Sequence, residues 1–382
     1  MVVSYCLRFF YRPLFYEFGT YAGDIWYVHV NYGEFLRNYI FFRVEYPVGI
    51  FILVKFATEL TLIITKDLQY EPFLTANALI LDAFGLGTTF LLWKIQLTTQ
   101  GVKWRIWVFW VLAPSFIFYS LLNFDLPAVF FCLLAVYSHL QRREDLSAVS
   151  LGLGTAVKFF PILLLPLFLF EKKIRDSTRY CLVASVSWLL VNLPFMLLNF
   201  DAWLFPYIWQ ATREPTRDGA CYLIYHFLGD TAASLFFPIL YASTILWLKV
   251  HVTRHRKETS VKTPPSKTAK VAGISVPLLA SFLIANRIFS PQYILWVLPF
   301  LVFTSISPIP FYLFEIPNVA HTIFLFKYMT DYPLLSLALR AIRYLALLYI
   351  YLRTLLSGGM EGKRAIICRR TVKQLADKMC QL

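Results

Sequence analysis

Three carboxylates and two cations stand where this chain can least easily carry charge, and together they suggest acid/base chemistry beside an anion. Asp24 follows Tyr21, Ala22 and Gly23 and precedes Ile25, Trp26 and Tyr27; Glu45 precedes Tyr46 and Pro47; Asp125 stands two residues before Pro127. A carboxylate held against an apolar surface can have a raised pKa and act as a base. Each of the three also fits a plain helix start, as a capping Asp or as an acid near a Pro that suits the helix dipole. Position alone favours the helix start.

Lys158 departs further from the ordinary. It lies within an apolar run, directly before Phe159, Phe160 and Pro161. A lysine there must snorkel or find an anion, and at an outward-facing turn a lipid phosphate is the natural one. Residues 286–293 form a polar island, Asn-Arg-Ile-Phe-Ser-Pro-Gln-Tyr, between two apolar runs. Arg287 can grip a phosphate with two parallel bonds, or can serve as an interfacial arginine in an aromatic belt that Trp296 also suits. Arg213, Arg217 and His226 could touch a sugar or phosphate, although a plain polar loop accounts for them. Arg340 and Arg343 are three apart and share a helix face. They pair with Asp82 or Glu315, or they line an anionic-lipid groove; His321 reads as structural.

The elements that must position these groups are membrane helices. Of 382 residues, 58% are hydrophobic and only 15% charged, and the mean hydropathy is +0.60. That excludes an ordinary soluble domain, and apolar runs near 20 residues long require spanning helices. No alternating barrel pattern appears. The predicted spans are 46–66, 73–93, a run at 104–122 broken at Pro114, an apolar run to Leu140, a broken run 147–171 with Lys158 at its turn, 180–200, 232–251, 271–287, 291–306, 310–327 and 333–353. Lys55 and Glu59 fall four apart inside the first and can neutralise each other. The fold class is all-α: a polytopic transmembrane bundle of about 9–12 segments, some broken or re-entrant. The chain divides into 1–45, an interfacial segment and first outer loop; 46–353, the bundle; and 354–382, a basic tail.

The net charge of +14 sits in the connections, so it reports topology rather than nucleic acid. The connection 252–270 has six Lys/Arg against one acid, and the tail after Tyr351 seven against two. Both are expected to be cytoplasmic and flexible. The loop 201–231 has two arginines and four acids, so it and residues 24–47 are expected to face outward. That alternation requires hairpins at Pro114 and at Lys158. The six cysteines are scattered without metal-ligand spacing, and no metal or cofactor is expected.

With these motifs in order, the chain resembles the GT-C superfamily of polyprenol-phosphate-sugar glycosyltransferases. The resemblance runs from about residue 20 to 353. It rests on Asp24-Ile25 after an aromatic lead, Glu45-Tyr46-Pro47, Asn123-Phe124-Asp125, Lys158-Phe-Phe-Pro161, and Asn286-Arg-Ile-Phe-Ser-Pro-Gln-Tyr293 followed by Trp296 and Pro299. It is nearest to glycosyltransferase family 87, which contains polyprenol-phosphate-mannose-dependent α-mannosyltransferases. The resemblance implies inverting, metal-independent transfer of a hexose, mannose foremost, from a polyprenyl-phosphate carrier to a glycan or glycolipid acceptor at the outer or lumenal face. It implies Asp24 as general base, Lys158 and Arg287 at the donor phosphate, Gln292 and Tyr293 shaping the lipid groove, and Glu45 and Tyr46 positioning the catalytic loop, with Asp125 on the same face. The family usually has a full spanning helix before the catalytic loop; only 23 residues precede Asp24 here, so that helix is expected upstream or is lost. Two other classes use the same charges: a transporter or flippase of a lipid-linked solute, with Lys55, Asp82, Lys158 and Arg340 as its pathway, and an inactive membrane scaffold.

Overall fold

The computed structural model describes residues 23–99, 104–120, 122–170, 172–217, 219–258, 267–327 and 333–357. The interfacial helix expected in the first residues and most of the basic tail lie outside them. The described residues form helices and connecting turns, with no strand among them. The protein is an all-α polytopic membrane bundle.

The chain enters through α1, Gly23–Asn38, which lies where an outer loop was expected. Pro47 stops an extended linker and starts α2, Val48–Thr65, by accepting the first amide bonds from Ile50 and Phe51. This helix ends at Lys66 in the left-handed region, its N–H returned to the Leu62 carbonyl. The next helix, α3, is Tyr70–Thr99. A π-helical turn at Trp107–Val111 then gives way to α4, Pro114–Tyr119, so the expected break at Pro114 is present. Helices α5, Leu126–Leu140, and α6, Glu144–Val157, pack against each other.

The second expected break falls at Lys158, which is extended (φ −144°, ψ 148°). Pro161 explains it: in a continuing helix its ring would clash with the Val157 carbonyl and leave that carbonyl without an N–H. A tight 3-10 turn, Phe160–Leu164, leads into α7, Leu165–Leu169.

Two long helical stretches follow, α8, Ile174–Leu198, and α10, Ala220–Glu258, the latter kinked into two halves at Gly229 (φ 85°, ψ 176°); they are joined by α9, Phe200–Thr212. Residues 201–231 are therefore largely helical rather than a loop. Asn199 decides this locally, because its side chain caps α9 by accepting the Ala202 amide at 3.0 Å. The basic connection expected at 252–270 is likewise shorter than its charge suggested: α10 runs through Glu258, and α11 begins at Lys267 and ends at Ala285. The expected span 291–306 is a 3-10 helix, Pro291–Trp296, and the short α12, Leu298–Leu301. Prolines at 291 and 299 deny a continuous helix its amide donors. Helices α13, Pro308–Lys327, and α14, Pro333–Ser357, close the bundle as an antiparallel pair.

Five of the helices are long and apolar enough to cross a membrane: Val48–Thr65, Tyr70–Leu97, Ile174–Leu198, Ala220–Val250 and Leu334–Leu356. The buried core gathers Phe109, Trp110, Leu126, Leu164, Leu279, Trp296 and Phe311 from six elements. Leu190 and Leu197 on α8 and Phe227 and Ile239 on α10 stay exposed, as lipid-facing side chains do.

Two glycines let backbones meet where the charged residues converge. Gly23 has φ +82°, and a Cβ there would lie 2.6 Å from the Leu122 carbonyl oxygen. Gly49 would place a Cβ 2.7 Å from Val157 Cα, so α2 crosses the end of α6 beside Lys158.

Candidate active site

Asp24 lies in the first turn of α1, but its carboxylate leaves that helix and accepts the Phe124 amide at 3.3 Å. The Ile25 amide donates to Leu122 O at 3.3 Å. The start of α1 is thus docked on the 122–125 turn, which the glycine at 23 permits. The Tyr46 phenol faces Asp24; burial, and then the charges of Asp24 and Glu45, raise its pKa well above the ordinary tyrosine value. Glu45 does not start α2. It accepts the Tyr27 hydroxyl at 2.5 Å and ties the linker back to α1.

Asp125 departs from the helix-start reading. It precedes α5 without capping it. Its Oδ1 instead accepts Lys158 Nζ at 2.7 Å and Trp296 Nε1 at 2.6 Å. Asp125 is fully buried and the Lys158 side chain is 13% exposed. Burial alone would lower the Lys158 pKa, but the Asp125 and Asp24 carboxylates hold it above the ordinary lysine value. Both carboxylates bear on the ammonium.

Trp296 is fixed from both sides. Phe160 stacks on it at 4.2 Å and 6°, and Tyr293 at 4.2 Å and 23°. Residues three apart eclipse each other on a 3-10 helix, which explains the Tyr293–Trp296 stack. Lys158 Nζ lies 5.8 Å from the Tyr293 ring centre. Gln292 turns back locally and accepts the Ser290 hydroxyl.

Arg287 stands at the edge of this group. Its guanidinium donates to Asp230 Oδ1 at 2.5 Å, to Ser234 Oγ at 2.8 Å and, through Nε, to the Arg213 carbonyl at 3.0 Å. The structure thus brings Asp24, Tyr46, Asp125, Lys158 and Tyr293 together, while Arg287 binds the start of α10's second half.

A model of glycosyltransferase family 87 matches residues 60–306, well over half of the chain. The chain belongs to glycosyltransferase family 87. It is an integral membrane glycosyltransferase. No curated protein and no solved structure matches it. The family 87 match covers Asp125, Lys158, Arg287, Gln292, Tyr293 and Trp296 and begins after Asp24, Glu45 and Tyr46.

Sequence reasoning missed the part of Trp296, which it took for a belt residue, and that of Phe160. The spacing of Tyr293 and Trp296 in a Pro-led segment was the available signal. Nothing local could have announced the Asp125–Lys158 pair, whose members are 33 positions apart.

Proposed function

We propose that this family 87 enzyme transfers a hexose, mannose foremost, from a polyprenyl-phosphate carrier to a glycan or glycolipid acceptor, with inversion and with Asp24 as general base. One observation carries this reading. The Asp24 carboxylate is held by the Phe124 amide, next in sequence to the buried Asp125 that pairs with Lys158. A base and a fixed cation therefore share one place at the head of the apolar helices.

In this reaction Asp24 takes the proton of the acceptor hydroxyl as that oxygen attacks the sugar's anomeric carbon. The bond from that carbon to the phosphate oxygen breaks, and the phosphate leaves with its lipid. A preorganised cation offsets the charge that develops on the leaving group. Lys158 lies 5.8 Å from the Tyr293 ring of the Pro291–Trp296 turn, Arg287 precedes that turn and holds the Arg213 carbonyl, and the Arg213 charge acts on Tyr293. The exposed apolar faces of α8 and α10 suit a polyprenyl chain lying alongside them. The reading puts the site on the outer or lumenal side and the basic connections and tail in the cytoplasm, and it keeps the division into 1–45, 46–353 and 354–382.

The test is Asp24→Asn in the full-length protein, assayed with polyprenyl-phosphate mannose. Transfer is expected to fall by roughly 10²-fold or more, with expression and melting temperature unchanged. Retained turnover would falsify the assignment. Solute flux without transfer in the parent protein would instead favour a transporter.

A further inference from the structure

We infer that Arg213 makes the contact to the donor phosphate, and that Arg287 is the positioning residue that places it. This rests on the proposed polyprenyl-phosphate donor and assigns which of three nearby cations meets its charge.

Two of the three are engaged within the protein. Lys158 is held by Asp125 at 2.7 Å and is nearly enclosed. Arg287 has all three guanidinium nitrogens donating, to Asp230, Ser234 and the Arg213 carbonyl. Using either for phosphate would break a buried pair or unfasten two segments of chain. Arg213 differs. It is partly exposed just after α9, with no ion pair to a carboxylate among the described residues, and its guanidinium lies 5.9 Å from the Trp209 ring centre. Its charge reaches the Tyr293 phenol, which also feels Lys158, Asp125 and Asp24.

The backbone around Arg213 is stapled to the segment that leads into Tyr293. Thr216 N donates to Arg287 O at 2.9 Å, and Phe289 N donates to Thr216 Oγ1 at 2.9 Å. Arg287 completes this clasp through the Arg213 carbonyl and is itself anchored on α10. The position of Arg213 is thus set by a built arrangement rather than by a loose loop. A guanidinium fork donates to two phosphate oxygens at once in a fixed geometry, which a lysine cannot do. One turn earlier on α9, Trp209 is exposed and stacks on Phe205, and α9 connects the lipid-facing α8 and α10, an aromatic setting that suits a phosphate with an apolar tail.

The competing account is an arginine that anchors bulk lipid headgroups. The experiment uses the full chain in phosphatidylcholine nanodiscs, with tryptophan fluorescence as readout and three probes: farnesyl phosphate, farnesol and inorganic phosphate. A charge-assisted phosphate contact predicts that Arg213→Gln weakens farnesyl phosphate about 10- to 100-fold and leaves farnesol unchanged. Arg213→Lys should recover part of the loss. Arg287→Gln should weaken the same probe and also lower the melting temperature, which Arg213→Gln should not. In transfer assays Arg213→Gln should raise the donor KM.

Equal farnesyl phosphate binding by Arg213→Gln and the parent overturns the inference and leaves the glycosyltransferase reading standing. So does a loss seen only in Lys158→Met. No farnesyl phosphate binding by the parent overturns the donor reading itself, and this inference with it. Equal losses for farnesyl phosphate and for phosphatidylglycerol nanodiscs identify a headgroup anchor, and equal losses for inorganic phosphate a site without lipid selectivity; either result overturns it.

Discussion

Two buried polar clusters lie in this bundle, and they handle charge in opposite ways. The first joins Asp24, Asp125 and Lys158 and reaches the surface through Asp24 and Tyr293. The second is closed. Glu315 accepts the Ser115 amide at 2.7 Å, Asn318 donates to Ser115 Oγ at 3.2 Å and to Pro291 O at 2.8 Å, and Arg343 donates to Asn318 at 3.2 Å. Glu315, Asn318 and Arg343 are all fully buried. Arg343 also lies 4.7 Å from the Phe289 ring centre. In the first cluster an acid meets an ammonium. In the second, the acid accepts a backbone amide and the arginine donates to an asparagine side chain.

The comparison teaches that an intramembrane charge is not by itself a reactive one, even though function is the default expectation. The closed cluster fastens α4, α13 and α14, and through Pro291 it fixes the start of the turn that carries Tyr293 and Trp296. It is a foundation for the open cluster.

The sharpest way to break the contrast is to remove one member of the open pair. Lys158→Met leaves Asp125 buried and uncompensated, and should cost about 3–5 kcal/mol of stability, with loss of transfer. Adding Asp125→Asn should return most of the melting temperature and none of the activity. Recovery of both would mean that the pair is only structural.

Asn318→Ala strikes the closed cluster at its centre. It removes the Asn318 bonds to Arg343, to Ser115 and to the Pro291 carbonyl, so thermal unfolding should show about 2 kcal/mol of destabilisation. Transfer should fall less than in Lys158→Met, because the turn beneath Tyr293 is loosened rather than discharged.

Glu315→Gln should do little. An amide oxygen can still accept the Ser115 N–H, so stability should stay within about 1 kcal/mol and transfer near the parent value. A loss as large as that of Lys158→Met would erase the distinction between the clusters.

A partly exposed cluster sets the lower bound. Glu144 meets Lys172 at 2.6 Å and His139 at 3.1 Å. Burial pushes the Glu144 pKa up, but Lys172 and His139 bring it below the ordinary carboxylate value. Its stabilisation is therefore present above that ordinary value and is lost as pH falls through the lowered one. The side chain is 39% exposed, so solvent screening leaves about 0.5 kcal/mol or less. Glu144→Gln should remove that slope of melting temperature with pH, and high salt should shrink the difference between the two proteins.

Much of the fold was legible. Long apolar runs marked the spanning helices, and prolines marked the interruptions at Pro114 and Lys158. The Lys55–Glu59 pair was readable from its four-residue spacing and is present at 2.9 Å. What misled was polarity read as loop. Residues 201–231 carry charges and two prolines, yet Asn199 caps a helix there and Pro206 is accommodated within it. The reverse error fell at 291–306, apolar enough for a span but divided at Pro299. At the candidate site, Asp24, Asp125 and Lys158 stood out one by one as charges beside apolar runs. Trp296 did not, since an aromatic near a membrane interface is ordinary, and Arg213 was named but set aside as part of a plain polar loop.

The sequence by itself determined the class of molecule. Without water to satisfy amides, a chain this apolar must close its backbone bonds within helices, and hydropathy marks most of those helices. The tertiary structure alone decided which charge meets which. Phe124 N–H reaches Asp24 across 100 positions, Lys158 reaches Asp125 across 33, and Trp296 reaches Asp125 across 171. No periodicity carries such pairings. They arise where Gly23 and Gly49 let backbones approach, where Pro161 ends a helix, and where a 3-10 turn stacks an indole over its neighbour.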